Sequence, residues 1–254
     1  MTSRATPVAL AVSVLVTMAA SAAAPPAGPV PKIEGVNFSG AWEDPFPQEV
    51  LRPAGAAVER TVIPPAPVNE KAKAEMAARR AQQQKSKPTE LSGGAACMPG
   101  GFPGMMGAVF PIEVLQSPGQ VTIIAEAFAQ IRRIYLNEKQ IAFEDAEPLF
   151  WGHSVGHWEG NTLMVNTIGL KESVRMGGVP HSDKLQVNER IKVTSKDSWE
   201  DQITLIDPEY LTGPWTWTYK YVRRNDYKIN EYVCEDNRLF LDPATGQQRL
   251  RLGE

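Results

Sequence analysis

Apolar and polar residues alternate with a period of two from Pro111 onwards, which is the pattern of strands that bury one face. Long amphipathic helical patterns do not separate these stretches, so parallel βαβ units are disfavoured. The stretches follow one another mostly at hairpin distance: PIEVLQ, QVTIIAEAF, QIRRIYL, GHSVGHWE, TLMVNT, LQVNERIKVT, WEDQITLI, PWTWTYKYV and KINEYVCE. We therefore predict a mostly β domain over 111–254. It is an antiparallel meander closed as a lipocalin-like barrel, with a two-sheet sandwich as the alternative.

The clearest hairpin lies in residues 150–167, FWGHSVGHWEGNTLMVNT. Gly160-Asn161 fits a two-residue turn, with glycine at the first central position as type II′ requires. One face of this hairpin is apolar and contains Trp158, while the other carries His153 and His157. The pattern leaves open which of the two faces points inward.

Three different segments precede the β domain. Residues 23–67 are rich in Pro, Ala and Gly and are predicted to form an extended arm, with FSGAW (38–42) as its one apolar anchor. Residues 68–110 contain a predicted surface helix over 69–87, capped by Asn69, because Ala, Glu, Lys, Arg and Gln favour helix. A Gly/Pro loop follows at 92–107.

The N-terminus has the pattern of a secretion signal over residues 1–22. Arg4 supplies the positive charge, an apolar stretch follows, and Ala20-Ser21-Ala22 has the small-x-small form of a cleavage site. The apolar stretch is short for a bilayer span, and an uncleaved membrane anchor is the alternative. We predict a periplasmic or secreted protein without stable membrane insertion after signal cleavage.

Charge and cysteine content bear on the expected partners and on the state of the cysteines. The formal net charge of −3 gives no electrostatic reason to expect nucleic acid as a partner. Cys97 and Cys234 are the two cysteines, and an oxidising compartment permits a disulfide between them. Two unpaired buried thiols are the alternative.

Two carboxylates interrupt otherwise apolar strand faces. Glu189 lies in the row of Leu185, Val187, Ile191 and Val193, and Asp201 lies between Trp199 and Ile203. If Val193 pairs with Trp199, Asp201 becomes a diagonal neighbour of Glu189. Arg133, between Ile131 and Tyr135, is predicted to face the same interior.

Buried carboxylates must be paired, hydrated or protonated, which leaves two interpretations of these residues. In the catalytic one, Glu189 or Asp201 acts as base or acid and Arg133 steadies developing negative charge, with His153 or His181 relaying a proton. In the structural one, the same groups form an interior salt-bridge network with Arg133.

An aromatic stripe also has two interpretations. PWTWTYKYV places Trp215, Trp217, Tyr219 and Tyr221 on one face. With Trp158, these rings are candidates to bind a flat or sugar-like ligand, and the alternative is that they form the core of the barrel wall.

The histidines do not indicate a metal site. Along a strand, His153 and His157 lie about 13 Å apart, too far to share one zinc ion. A site built from His153, His181 and a carboxylate remains open, beside the simpler interpretation of polar hairpin residues without a ligand.

Several motifs resemble a family of exported bacterial proteins, many of them from sphingomonads: FSGAW, CMPGGFPGMM, RRIYLNEK, GHSVGHWEGNTLMVNT, PHSDKLQVNERI and EYVCEDN, in this order. Members often have Asp-Gly-Arg where this chain has Asn137-Glu138-Lys139, and Arg at His157 and Asp at Asn161 and Asn166. The resemblance implies export and a shared fold, and no particular chemistry.

Three functional hypotheses follow. The first is an exported β-barrel that binds a small aromatic or glycosidic molecule and performs cofactor-free acid–base chemistry as a lyase, isomerase or hydrolase. The second is a non-catalytic ligand-binding protein of the same shape, and the third is a structural envelope protein. A nucleophile elbow, a P-loop, a dinucleotide fingerprint and a Cys-x-x-Cys pair are all missing from the sequence, which disfavours covalent hydrolysis, nucleotide use and thiol redox chemistry.

Overall fold

The computed structural model describes residues 32–44, 61–85, 97–107, 110–234, 239–241 and 248–250. The predicted signal peptide and part of the predicted arm lie outside these residues.

Nine strands form a closed barrel in which each strand pairs with its neighbours along the chain and β9 pairs with β1. The predicted closed barrel is thereby confirmed, and the sandwich does not form. The strands are β1 (Gly40–Glu43), β2 (Ile112–Ser117), β3 (Gln120–Ala125), β4 (Gln130–Leu136), β5 (His153–Glu159), β6 (Thr162–Ile168), β7 (Gln186–Ser195), β8 (Ser198–Ile206) and β9 (Trp215–Arg223). A separate two-stranded sheet contains β10 (Leu239–Leu241) and β11 (Gln248–Leu250).

One pair of neighbours in the barrel is parallel. A ring with an odd number of strands cannot alternate in direction all the way round, and β4 and β5 are the pair that runs the same way. A parallel pair needs a crossover connection rather than a tight turn. Residues 137–152 provide it, between the end of β4 and the start of β5.

The predicted β domain began at Pro111, whereas the first barrel strand lies in the segment predicted to be an arm. Trp42 of β1 pairs with Ile112 on one side and with Arg223 on the other, and its side chain is fully buried. The strand predicted for KINEYVCE is wrong, because residues 228–234 have no strand structure. In this segment Tyr232 packs against the ring of Phe128, which is also outside the strands. Its side chain is therefore used in a contact between loops and not in a sheet.

The hairpin of β5 and β6 turns its apolar face inward. Leu163 and Val165 are buried and Trp158 is partly buried, whereas His153 and His157 project from the outer wall. Gly160 has the positive φ of 61° that the predicted turn requires.

Two segments outside the strand ladder close the barrel. At the end that carries the β5–β6 and β7–β8 turns, Phe38 packs edge-on against Trp158 and Trp199, with ring centroids 5.9 and 5.6 Å apart. Towards the other end, residues 97–107 insert the buried side chains of Phe102, Met105 and Met106. We call residues 97–107 the plug.

The predicted surface helix is present as α1 (Glu70–Lys85). Asn69 Oδ1 accepts a hydrogen bond of 3.0 Å from the backbone N–H of Ala72, so the predicted cap is confirmed. Ala72 is the buried residue of this helix, in agreement with its thin apolar face.

Cys97 and Cys234 form a disulfide that joins residues 137 positions apart. Of the two alternatives for these cysteines, the disulfide is the one that forms. It ties the start of the plug to the segment that follows β9. Among the described residues, no helix is both long enough and apolar enough to cross a membrane.

If Phe38 closes the barrel, Phe38→Ala removes a buried ring from between two tryptophans. We expect it to lower the free energy of unfolding by about 3–5 kcal/mol in urea denaturation. Val36→Ala, in the same segment but at an exposed position, is the control and should change stability by less than about 0.5 kcal/mol. Equal effects would show that this segment does not belong to the folded unit.

Candidate functional site

A cluster of polar side chains crosses the interior of the barrel. Arg132 donates to both carboxylate oxygens of Glu189, with 2.7 Å between Nη1 and Oε1. The guanidinium also donates to the hydroxyl oxygens of Ser154 and Thr167, at 3.0–3.2 Å. Arg132 and Glu189 are each 1% exposed. The charges therefore neutralise each other in a region that water does not reach.

The arginine in this cluster is Arg132, and the prediction that Arg133 faces the interior is wrong. In β4 the inward row is Gln130, Arg132, Ile134 and Leu136, while Ile131 and Arg133 are exposed. A shift of one residue exchanges the two faces of a strand. Arg132 pairs in register with the buried Ile123 of β3, which places it inside.

The predicted register of β7 and β8 is confirmed. Val193 pairs with Trp199 and Glu189 pairs with Ile203, so Asp201, opposite Ile191, is diagonal to Glu189. Both carboxyl groups point into the barrel because they occupy the inward alternation of their strands.

Asp201 is fully buried, and its environment favours the neutral acid. Burial in the first place, and the negative charge of Glu189 in the second, raise the pKa of Asp201 well above its usual range, while Arg132 acts in the opposite direction. Among the described residues, neither oxygen of Asp201 has a hydrogen-bond partner of acceptable geometry. Glu189 is thus near enough to raise the Asp201 pKa both by its charge and through a side-chain hydrogen-bond contact, although the geometry of that contact falls short of a regular hydrogen bond.

Solvent does not reach these groups in this structure. The side chains of Arg132 and Glu189 are both 0% exposed, and the Phe102 ring covers the guanidinium face at 3.6 Å. This arrangement is an interior salt-bridge network of the predicted kind, with Arg132 in place of the predicted Arg133. An acid–base catalyst needs an opening through which its substrate approaches, and the closed plug occupies that side of the guanidinium.

The aromatic stripe faces inward. Trp215, Trp217, Tyr219 and Tyr221 are all buried. Tyr221 stacks on Trp199 with 3.9 Å between ring centroids, and its hydroxyl donates to the carbonyl oxygen of Met106. These rings pack against one another and against the plug, so they form core in this state, as the alternative interpretation predicted. Trp158 lies further along the interior, beside Phe38.

The structure does not bring the histidines to the buried carboxylates. His153, on the outer wall, has Nδ1 2.8 Å from Gln140 Oε1 and stacks on Tyr135. His157 is exposed, and its Nε2 lies 3.1 Å from Glu159 Oε1. His181 lies between the carbonyl oxygens of Ser182 and Lys171, beside a cavity of about 20 Å³ that Trp215 also lines. In the described part of the chain, no group of three or more His, Cys, Asp or Glu side chains could hold a metal ion.

A groove of about 750 Å³ lies on the outer wall over β5–β8. Most of its lining comes from outward residues of the four strands, so it opens on the face opposite to the charged cluster. The inward residues Gly156, Val165 and Glu189 also border it. Asn137 and Glu138, from the start of the crossover, form part of its rim. The outward side chains that line it are Val155, His157, Met164, Asn166, Asn188, Arg190 and Thr204.

Amide side chains in and beside this groove are held in place by hydrogen bonds. Gln140 donates to Asn166 Oδ1 at 3.0 Å, and Asn166 Nδ2 donates to Asn188 Oδ1 at 2.8 Å. Asn166 and Asn188 are direct cross-strand partners, and Thr204 follows as the partner of Asn188. The row therefore presents polar atoms at the regular spacing of neighbouring strands, about 4.8 Å.

Two donors in the groove remain available to a ligand. In the described structure the Asn188 amide nitrogen donates to no protein group, and the one side-chain hydrogen bond of the exposed Arg190 goes to the Met164 sulfur, at 3.5 Å. Arg190 thus carries a positive charge without a carboxylate partner among the described residues. An unpaired guanidinium beside a fixed amide can bind carboxylate and hydroxyl groups.

Sequence reasoning missed both Arg132 and this groove. Alternation in β4 does not distinguish Arg132 from Arg133, because each arginine shares its row with apolar residues, and pairing with β3 decides between them. The groove residues appear in the sequence as ordinary outward polar positions, and only the strand pairing shows that they form one row.

No family model matches this chain, and no curated protein is significantly similar to it. The resemblance of its motifs to an exported bacterial family stays a prediction.

The adjacent arginines give a matched test of the interior network. Arg132→Met leaves Glu189 buried without its partner, and we expect a loss of about 3–5 kcal/mol in the free energy of unfolding. Arg133→Met removes the same charge from the outer wall and should cost less than about 0.5 kcal/mol. Chemical denaturation of the two variants measures the difference, and the reverse order would contradict the position of the cluster.

The raised pKa of Asp201 predicts a pH dependence of stability. The folded protein keeps a proton that the unfolded chain releases above about pH 4, so the stability associated with it is complete below that pH and is lost as the pH rises towards the folded pKa. The Asp201→Asn side chain has nearly the same shape as aspartate and does not titrate. Relative to this variant, we expect the wild-type unfolding free energy to fall by up to about 1.4 kcal/mol per pH unit in urea titrations.

The control for this measurement is Asp226→Asn. Asp226 is exposed, and its hydrogen bonds with Arg224 lower the pKa of its carboxyl, so it stays ionised in both states above about pH 4. The unfolding free energy of Asp226→Asn should change with pH as steeply as that of the wild type. Equal slopes for wild type and Asp201→Asn would mean that Asp201 is ionised inside the barrel.

Proposed function

We propose that this protein is an exported, non-catalytic binding protein whose groove over β5–β8 holds a hydroxyl-rich ligand of the glycosidic type. The observation that carries the proposal is the row of Gln140, Asn166 and Asn188, in which each amide is fixed by the next. Side chains fixed before binding lose little conformational entropy when a ligand arrives.

The shape and chemistry of the groove support a sugar-like ligand. Its volume of about 750 Å³ lies in the range of small-molecule sites. Amide and hydroxyl groups such as those of Asn188 and Thr204 can both donate to and accept from sugar hydroxyls. The apolar side chains of Val155 and Met164 offer contact area for the faces of a sugar ring.

The charge of Arg190 favours ligands that carry a carboxylate. A guanidinium can bind a carboxylate through two parallel hydrogen bonds, and Arg190 has no competing acidic partner in the described part of the chain. Uronic acid units combine hydroxyls with a carboxylate. We therefore expect an acidic oligosaccharide to bind more tightly than a neutral one.

Two observations support an exported location. The disulfide between Cys97 and Cys234 suits an oxidising compartment. The sequence pattern of residues 1–22 suits a secretion signal. A glycan-binding protein outside the cytoplasm would meet its ligand at the cell surface or in the medium.

Isothermal titration calorimetry with oligogalacturonate and with a neutral cello-oligosaccharide tests the proposal. We expect saturable binding of the acidic ligand, and we expect Arg190→Ala to weaken it by about tenfold or more, because a hydrogen bond to a charged group is lost. Asn188→Ala should weaken the binding of both ligands, since the amide contacts hydroxyls.

Lys192→Ala is the matched control. Lys192 is exposed on the same face of β7, two residues from Arg190, and does not line the groove. Its removal should leave the dissociation constant within about twofold. An equal loss in Lys192→Ala and Arg190→Ala would indicate general electrostatic attraction, and the absence of saturable binding by either ligand would refute the proposed function.

A further inference from the structure

The plug fills the interior next to the charged cluster with soft, apolar side chains. Phe102 lies flat over the Arg132 guanidinium at 3.6 Å, and the Met106 carbonyl oxygen accepts a hydrogen bond from the Tyr221 hydroxyl. Gly107 packs against Tyr219, whose hydroxyl oxygen would lie 2.5 Å from an added Cβ. The plug thus contacts Arg132 on one side and the tyrosines of β9 on the other.

Few hydrogen bonds hold the plug in the barrel. The Gly101 N–H donates to Gln130 Oε1 at 3.0 Å, and the Phe102 N–H donates to the Phe150 carbonyl at 2.8 Å. None of the strands in the described structure pairs with the plug. A Cβ added at Gly100 or Gly104 would meet nothing within 4 Å, so the outer side of the segment faces open space.

The closed plug leaves hydrogen-bonding groups of the interior without well-formed hydrogen bonds. In the described structure no hydrogen bond of regular geometry reaches either oxygen of Asp201 or the indole Nε1 of Trp217, and their contacts with Glu189 and Tyr219 fall short of that geometry. Asp201 pairs with Tyr219, and Trp217 pairs with Ile203, so the two groups are diagonal neighbours on the inner face of β8 and β9. Each buried group without a partner costs about 1–3 kcal/mol. A molecule that supplied these bonds would recover part of that energy.

We propose that the space now filled by Phe102, Met105 and Met106 is a second binding site, for a flat neutral aromatic molecule with a hydroxyl group. The aromatic ring would replace Phe102 on the face of Arg132, and the hydroxyl would bond with Asp201 or with the Trp217 indole. In the present structure the plug occupies the site in place of that ligand. This site lies inside the barrel, so it is independent of the outer groove.

The charges of the cluster exclude a charged ligand. Glu189 already neutralises Arg132 through two hydrogen bonds, and burial keeps a proton on Asp201. A carboxylate in the same space would be an unpaired buried charge next to Glu189, which costs several kcal/mol. A phenol is therefore accepted, and an aromatic acid of the same shape is rejected.

Three probes of nearly equal shape test this selectivity on the wild-type protein. They are p-cresol, toluene and 4-methylbenzoate, added in separate calorimetric titrations to the oxidised full chain. We expect saturable binding of p-cresol, binding of toluene weaker by about tenfold because the hydroxyl contacts are missing, and no binding of 4-methylbenzoate. Tightest binding of the acid, or no binding of any probe, would overturn the proposal.

Methionine oxidation reports whether a bound probe displaces the plug. Met105 and Met106 are 1% exposed and Met98 is 41% exposed, so dilute peroxide should oxidise Met98 first. At saturating p-cresol we expect Met105 and Met106 to be oxidised about tenfold faster, measured by mass spectrometry, with Met98 unchanged. Continued protection of both residues would show that p-cresol binds elsewhere and would refute the site.

Two variants of Asp201 complete the test. Asp201→Ala removes the hydrogen-bonding group and should weaken p-cresol binding by about tenfold without affecting toluene. Asp201→Asn keeps hydrogen-bonding atoms and should restore most of the affinity. Neither change touches the outer groove, so glycan binding should stay as in the wild type. Loss of p-cresol binding therefore tests the interior site, and glycan binding tests the outer groove independently. Equal p-cresol affinity in wild type and Asp201→Ala would contradict the role assigned to this carboxyl.

Discussion

The ion pair of Arg132 and Glu189 joins β4 to β7 across the inside of the barrel. The strands between them contribute Ser154 from β5 and Thr167 from β6, which pair directly with each other and bond to the same guanidinium. Four consecutive strands are therefore connected through one planar group. A shift in register would remove one of these partners and leave a buried guanidinium N–H group without an acceptor. The cluster therefore favours a single register of the four strands.

The same wall has different chemistry on its two faces. Glu189 and Arg190 are neighbours on β7, yet Glu189 is fully buried and paired while Arg190 is exposed and free of carboxylate contacts in the described structure. The pleat of the strand produces this separation, since successive side chains point to opposite faces. The interior can thus remain closed while the exterior presents polar groups to a ligand. The two proposed sites are compatible for this reason.

Both ends of the barrel depend on chain segments that are remote in sequence from the central strands. Phe38 comes before β1 and packs between Trp158 and Trp199, and the plug comes between α1 and β2. These segments differ in how they are attached. The first continues directly into β1, which is paired on both sides, whereas the plug is held by a disulfide and a few hydrogen bonds. The plug is also held by the burial of Phe102, Met105 and Met106, so a ligand that displaced it would have to replace those apolar contacts.

Alternation of residue types was enough to predict eight of the nine barrel strands and the inward positions of Glu189 and Asp201. Helix-favouring composition after an asparagine was enough to predict the cap at Asn69, because a cap also depends on near neighbours in the chain. Alternation could not choose between Arg132 and Arg133, since both alternations of QIRRIYL mix an arginine with apolar residues, and pairing with β3 decides between them. Strand β1 has only four residues, too few for a period to appear, and it is stable because β2 and β9 pair with it. The position of the plug was likewise decided by tertiary structure, because Phe102 has no periodic signal in the sequence and is placed by contacts with distant residues, among them the Arg132 guanidinium and the Phe150 carbonyl.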